Sequence, residues 1–194
     1  MILVPAYFAP ISYFKHIINQ NEVFFSTNTN YQKQTYRNRC IICGSNGLQK
    51  LIIPITHSRD RKNDKDVMIY NKIPWQKNHW KSIETAYKSS PFYEYYCEDL
   101  KDFFTEKYKY LFDLNIAIMI QIFNLLDHSV NINETNCEIN LIKINQILDP
   151  KKDLLETKQY NQVFQNKIGF QSDLSIIDVL FNLGPETLDY IKKI

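Results

Sequence analysis

The spacing of apolar residues changes character near residue 75, and that change constrains the fold more than any other feature of the chain. Before it, apolar residues come in short runs: Ile2-Leu-Val4, Glu22-Val-Phe-Phe-Ser26, Cys40-Ile-Ile-Cys43, Leu48 to Ile55 and Val67-Met-Ile-Tyr70. Runs of that length, closed by Gly, Pro and Asn, predict strands. Gly44-Ser-Asn-Gly47 separates two of them and predicts a hairpin. One helix interrupts the series, over Ile11 to Ile18, where Tyr13, Phe14, Ile17 and Ile18 recur at helical spacing.

Beyond the change the period is helical. Trp80, Ile83 and Ala86–Tyr87 line one helix, and Phe92, Tyr96, Leu100 and Phe103 line the next. Ser90 before Pro91 has the form of an N-cap followed by proline at the first helical position. Leu114 to Leu126 is apolar on nearly all sides and is expected to be the most buried helix. An Asn-rich stretch follows, with a further strand read at Glu138 to Ile144. Ser175-Ile-Ile-Asp178 has capping-box spacing before a helix that Gly184-Pro185 ends, and a short final helix follows. The expectation is an α/β fold, with a small mixed sheet from the N-terminal third packed against a helical C-terminal two-thirds. One domain spans 1–194, and residues 149–152 form the only plausible internal boundary.

Several function classes fall away. The chain has 4 glycines and neither a G-x-G-x-x-G nor a Walker pattern, so a Gly-rich phosphate loop is excluded. A net charge of +2 with a pI near 8.2 is too mild to imply a nucleic-acid partner. No apolar stretch approaches the ~18 residues that span a bilayer, and the N-terminus lacks the basic and apolar regions of a signal peptide. A cytoplasmic protein without a membrane span is expected. The four cysteines (40, 43, 97 and 137) do not make a disulfide framework. Cys40 and Cys43 have C-x-x-C spacing but no second pair, and they lie in a strand-like run, which reads as two buried thiols. No metal-ligand spacing and no serine-hydrolase motif is present, so neither a metal nor a cofactor is expected.

The segment richest in chemistry is Tyr31-Gln-Lys-Gln-Thr-Tyr-Arg-Asn-Arg39, which contains no acid and no aliphatic residue. Arginine presents a planar fork matched to phosphate or carboxylate oxygens, and lysine adds a point charge. Between strands, such a cassette reads as an anion-recognition loop. The charged run Thr56 to Asp66 reads as a solvated loop. Among the histidines at 16, 57, 79 and 128, His79 stands at the start of a helix beside Lys77, as a general base or acid can. His57 follows a strand end, another common place for site residues.

These segments together resemble the WbqC-like family, in the form found in Bacteroidota-type bacteria. The resemblance runs through Pro5-Ala-Tyr-Phe-Ala-Pro-Ile-Ser-Tyr-Phe14, Tyr31 to Cys40, Asn46-Gly47 with Leu51-Ile-Ile-Pro-Ile55, and His79-Trp-Lys-Ser-Ile83. It continues in Ser90-Pro-Phe-Tyr-Glu-Tyr-Tyr96 and Asp173 to Pro185. Its most specific part is the Y-x-K-x-x-x-R-N-R core. Many members begin with a Gln-Pro-Asn-Tyr-type motif where this chain has Val4-Pro5-Ala6-Tyr7, so roles of that Gln and Asn do not carry over. The resemblance implies surface-polysaccharide (O-antigen) biosynthesis, with glycyl or other acyl transfer to a sugar amine. It points to His79 and Lys33 as catalytic residues, and to Tyr7, Tyr13, Arg37, Asn38 and Arg39 as substrate-binding ones. The partner is a small anionic substrate, a sugar nucleotide or activated acyl donor. A non-catalytic binding or assembly protein is the alternative.

Overall fold

Strand β2 (Glu22–Ser26) is flanked on both sides by parallel partners, β1 (Ile2–Leu3) and β5 (Asn131–Thr135). The computed structural model describes residues 1–56, 63–137, 147–150 and 156–194. A separate antiparallel hairpin joins β3 (Arg39–Gly44) to β4 (Gly47–Ile52), with Arg39 opposite Ile52 and Gly44 opposite Gly47. Gly47 takes φ +106°, which a residue with a Cβ avoids, so the tight turn needs glycine there. β3 is buried on both faces, and the Cys40 and Cys43 thiols are both buried and free.

Helices α1 (Ile11–Ile17), α2 (Trp75–Tyr87), α3 (Tyr93–Thr105) and α4 (Leu111–Leu125) follow the predicted apolar stripes. A short helix α5 (Gln165–Ile168) precedes α6 (Ile176–Leu183) and α7 (Thr187–Lys193). The chain is thus an α/β protein with mixed strand pairing, as its pattern of periods predicts. Among the described residues, no helix is long and apolar enough to cross a membrane.

Four local expectations give way to the structure. Ser90 does not cap α3: its hydroxyl donates to the Tyr87 carbonyl at 2.6 Å and closes α2, while α3 starts at Tyr93 behind Phe92. Ser175 does not form a capping box either, because its hydroxyl donates to the Phe8 carbonyl at 2.7 Å. α6 is buried more completely than α4, whose Ile120 stays 45% exposed. Residues 67–70 form only isolated bridges, Ile69 with Ile55 and Met68 with Tyr110. The strand read at Glu138 to Ile144 and His57 both lie outside the described residues.

Candidate functional site at the cassette

Residues 35–38 of the cassette enter the core, while Lys33 and Gln34 stay at the surface. Arg37 is the largest fully buried side chain among the described residues, with 1% of its surface exposed. Its Nε lies 2.9 Å from Asp64 Oδ1, close enough for ion pairing although the N–H points off the line. Asp64 belongs to a 3-10 turn (Asp64–Asp66); the Thr29 hydroxyl donates to its second oxygen, and its own N–H donates to the Thr29 carbonyl at 2.7 Å. The residue read as part of a solvated loop is therefore buried. A buried guanidinium without a nearby acid is too costly to keep. Thr35 Oγ1 accepts from Arg37 Nη1 at 3.4 Å.

What Arg37 lacks is a partner for Nη2. The same holds for Arg39 Nε and the Tyr31 hydroxyl, all three being buried atoms without a hydrogen-bond partner among the described residues. Both guanidinium charges and the Asp64 carboxylate act on the Tyr31 phenol, the arginines lowering it and the carboxylate raising it. Burial nevertheless pushes the phenol up to about 12, so it remains a neutral donor. Burial also raises the Asp64 carboxyl, against the pull of Arg37 and the Thr29 hydroxyl. Unpaired donors of this kind, near a buried cation, are the chemistry that an anion's oxygens would satisfy.

The remaining residues of the candidate site are held in different ways. Asn38 ties the cassette to the end of β4: its Nδ2 donates to the Ile53 carbonyl at 2.9 Å, and Ile53 N–H returns a 2.8 Å bond to the Asn38 carbonyl. Tyr13 sends its hydroxyl to the Val4 carbonyl at 2.8 Å; its phenol is raised by burial and feels the Arg37 charge. Lys33 is exposed, beside Gln34 in the left-handed region at φ +63°. Asn115 of α4 donates to the Arg37 carbonyl at 2.8 Å and to the Pro5 carbonyl at 3.3 Å, clamping the N-terminal segment to the cassette.

Tyr7 and His79 meet directly, Oη to Nδ1 at 3.0 Å, with Tyr7 N–H also bound to the Tyr36 carbonyl at 2.9 Å. Burial raises the Tyr7 phenol far above its ordinary range, so it keeps its proton and donates it to Nδ1. The imidazole proton then sits on Nε2 and faces the Ile52 backbone. The Trp75 ring covers His79 edge-on at 5.2 Å. Burial lowers His79 to about 4, so the ring is neutral at physiological pH. Phe8, next to Tyr7, holds φ +38° and stacks on Phe104 with centroids 5.9 Å apart. A bulky residue at positive φ is strained, and the surrounding aromatics hold it there.

The structure therefore pairs Arg37 with Asp64 and Tyr7 with His79, and Tyr31 feels the charges of Arg37 and Arg39. Sequence reasoning missed Asp64, Thr29 and Asn115. Asn115 had a signal, a polar residue on the buried side of an apolar helix. Asp64 had only the general demand that a buried arginine find an acid.

Fold and site together define an α/β protein with a buried arginine–aspartate pair and unpaired donors beside it. The chain belongs to the WbqC-like protein family, whose model matches residues 5–156. It is 23% identical over 212 aligned positions to the uncharacterized protein Rv1507c of Mycobacterium tuberculosis, covering 93% of this chain and 91% of that one. No solved structure matches. Among the described residues, no three His, Cys, Asp or Glu side chains group as metal ligands do.

Proposed function

We propose that this protein is a cytoplasmic, single-domain transferase of surface-polysaccharide biosynthesis, which passes an acyl group such as glycyl to an amino sugar. The observation that carries the anion half of this reading is the set of unpaired donors on Tyr31, Arg37 and Arg39. These hold the phosphate-bearing end of a sugar nucleotide or activated acyl donor, and exposed Lys33 meets the donor as it arrives. Asn38 and Tyr13 fix the cassette around it. In the transfer, the sugar amine attacks the acyl carbon, the amide bond forms, and the bond to the phosphate leaving group breaks with its electron pair. The amine proton passes to the neutral His79 once the acceptor displaces the Tyr7 hydroxyl from Nδ1.

One observation favours a second reading, a binding or assembly protein without catalysis. His79 is only 6% exposed, and both ring nitrogens already face partners. Tyr7–His79 would then be a structural pair behind the cassette. The two readings separate in one experiment. The protein is incubated with sugar nucleotides and aminoacyl or acyl phosphates together with amino-sugar acceptors, and products are followed by mass spectrometry. The transferase reading expects an acylated amino sugar whose formation falls at least about a hundredfold in His79→Asn and Arg39→Gln. Ligand binding without product, unchanged in His79→Asn, would leave the binding reading standing. Thermal shift without response to any anionic ligand would remove both.

A further inference from the structure

The net charge of +2 is mild for the chain as a whole and is not evenly spread. No acid stands between Glu22 and Asp60, or between Asp66 and Glu84. The second gap holds Lys72, Lys77 and Lys81, and the end of the first holds Lys50; all four side chains are exposed. The same stretches carry Leu48, Ile52, Tyr70 and Ile73, four of the six large hydrophobic side chains that stay exposed among the described residues. Apolar side chains scattered singly over a surface need no explanation, but four grouped among lysines do.

The fold sets these stretches side by side. β4 is the outer strand of its hairpin, and Leu48, Lys50 and Ile52 alternate along it, so they share one face, opposite the buried Leu51. Beyond β4 the chain pairs with the second stretch: Thr56 N–H donates to the Met68 carbonyl at 2.8 Å, and Tyr70 N–H to the Pro54 carbonyl at 2.9 Å. Gln49 Nε2 donates to the Ser82 hydroxyl at 2.9 Å, beside a cleft of about 620 Å³ lined by the hairpin turn and by Lys81 and Thr85 of α2. Lys167 donates to the Ser45 carbonyl at 2.9 Å and adds a cation at that turn. The segment 106–109, tied in by a 2.9 Å bond from Ile69 N–H to the Lys109 carbonyl, brings Glu106 together with Lys107 and Lys109. Residues 57–62, outside the described ones, hold Arg59, Arg61 and Lys62 against Asp60, so their charge has the same sign.

We propose that this surface docks the protein on an anionic lipid bilayer. The lysines sit at the lipid phosphates, and Leu48, Ile52, Tyr70 and Ile73 enter the boundary between headgroups and acyl chains. Charge complementarity selects this occupant. A second copy of the chain would bring lysines against lysines, and Lys50 in the middle of the edge strand opposes strand-to-strand pairing. A nucleic acid would match the lysines, but its phosphates offer nothing to three exposed aliphatic side chains. The two kinds of side chain together match a surface that is anionic outside and hydrocarbon beneath, and tyrosine is at home between the two. Docking here is independent of what the cassette's donors bind.

The test is sedimentation of the full chain with vesicles, of phosphatidylcholine alone and of phosphatidylcholine with phosphatidylglycerol in equal parts. Binding is expected to the second and not to the first, and it should weaken as salt is raised. Lys50→Gln is expected to lower the binding constant about fivefold, whereas Lys101→Gln, on α3 beside Glu98, is expected to leave it unchanged. Leu48→Ser combined with Ile73→Ser is expected to lower it at least about tenfold. No binding to the anionic vesicles would overturn the proposal, as would equal losses in Lys50→Gln and Lys101→Gln, or full binding by the double serine variant. Should the serine variant fail to fold, the two lysine variants decide alone. Duplex DNA bound more tightly than the anionic vesicles, with the same dependence on Lys50, would overturn it in favour of a nucleic acid. Self-association without lipid that Leu48→Ser abolishes would overturn it in favour of a second copy.

Discussion

Tyr31 keeps a buried hydroxyl that donates to nothing among the described residues, although the charges of Arg37 and Arg39 act on it. An unmade buried hydrogen bond costs about 1–3 kcal/mol, so a protein that retains one gains from it when something else is bound. Tyr31→Phe deletes the hydroxyl and leaves the ring. Without ligand, stability in chemical denaturation is expected to stay level or rise by up to about 1 kcal/mol. Sulfate affinity is expected to fall roughly tenfold in the same protein. A clear loss of stability instead would mean that the phenol already has a partner, and the candidate site would lose its third donor. At this scale the sequence was informative in one direction only. An acid-free run of Arg, Tyr and Asn reads as an anion site by its chemistry, and Tyr31 does feel the charges of Arg37 and Arg39. That Arg37 turns inward to Asp64, 27 positions away, is decided by tertiary packing, which no local pattern records.

At the level of elements, the junction of α6 and α7 holds the most tightly enclosed of the four glycines. Gly184 sits at φ +54°, and a Cβ there would lie 2.5 Å from Cδ1 of Phe92. Phe92 is in turn fixed by its N–H bond to the Phe181 carbonyl at 3.0 Å, so the ring has little room to retreat. Gly184→Ala is expected to cost about 2–4 kcal/mol, from overpacking together with backbone strain, read as a lowered unfolding midpoint. Combining it with Phe92→Leu should recover the steric part and leave the strain. Full stability in the single variant would show that the helix pair adjusts freely. Helices α1 to α4 were legible because each buries one stripe, and the period of that stripe is written in the sequence. β5 was not, since Asn131-Ile-Asn-Glu-Thr135 has no apolar alternation and owes its place to five backbone pairings with β2. The Ser90 and Ser175 caps failed for a related reason: each hydroxyl found a carbonyl nearby in the fold, one at Tyr87 and one at Phe8.

For the molecule as a whole, two buried titrating groups pull stability in opposite directions over the same pH range. Asp178 accepts from Tyr160 at 2.6 Å and Tyr87 at 2.9 Å, yet burial without a cation raises its carboxyl from 3.8 to about 6. His79 is lowered from 6.5 to about 4 by burial. As pH falls from about 6.5 to about 4, the unfolded chain takes a proton on His79 that the folded protein refuses, so stability is lost. As pH falls from about 6 to about 4, the folded protein takes a proton on Asp178 that the unfolded chain does not, so stability is gained. Each is worth on the order of 3 kcal/mol, and the two nearly cancel. Asp178→Asn removes the gain and exposes the loss. Its stability relative to the native protein is expected to fall by on the order of 3 kcal/mol between pH ~6.5 and ~4, on top of a pH-independent offset from the altered hydrogen bonds. His79→Asn is expected to show the reverse, growing relatively more stable as acid is added. Denaturant unfolding across that range, plotted as variant minus native, isolates these two groups from all other carboxylates. Parallel curves for Asp178→Asn and the native protein would mean that Asp178 is ionised throughout, stabilised by its two phenols more strongly than burial opposes it.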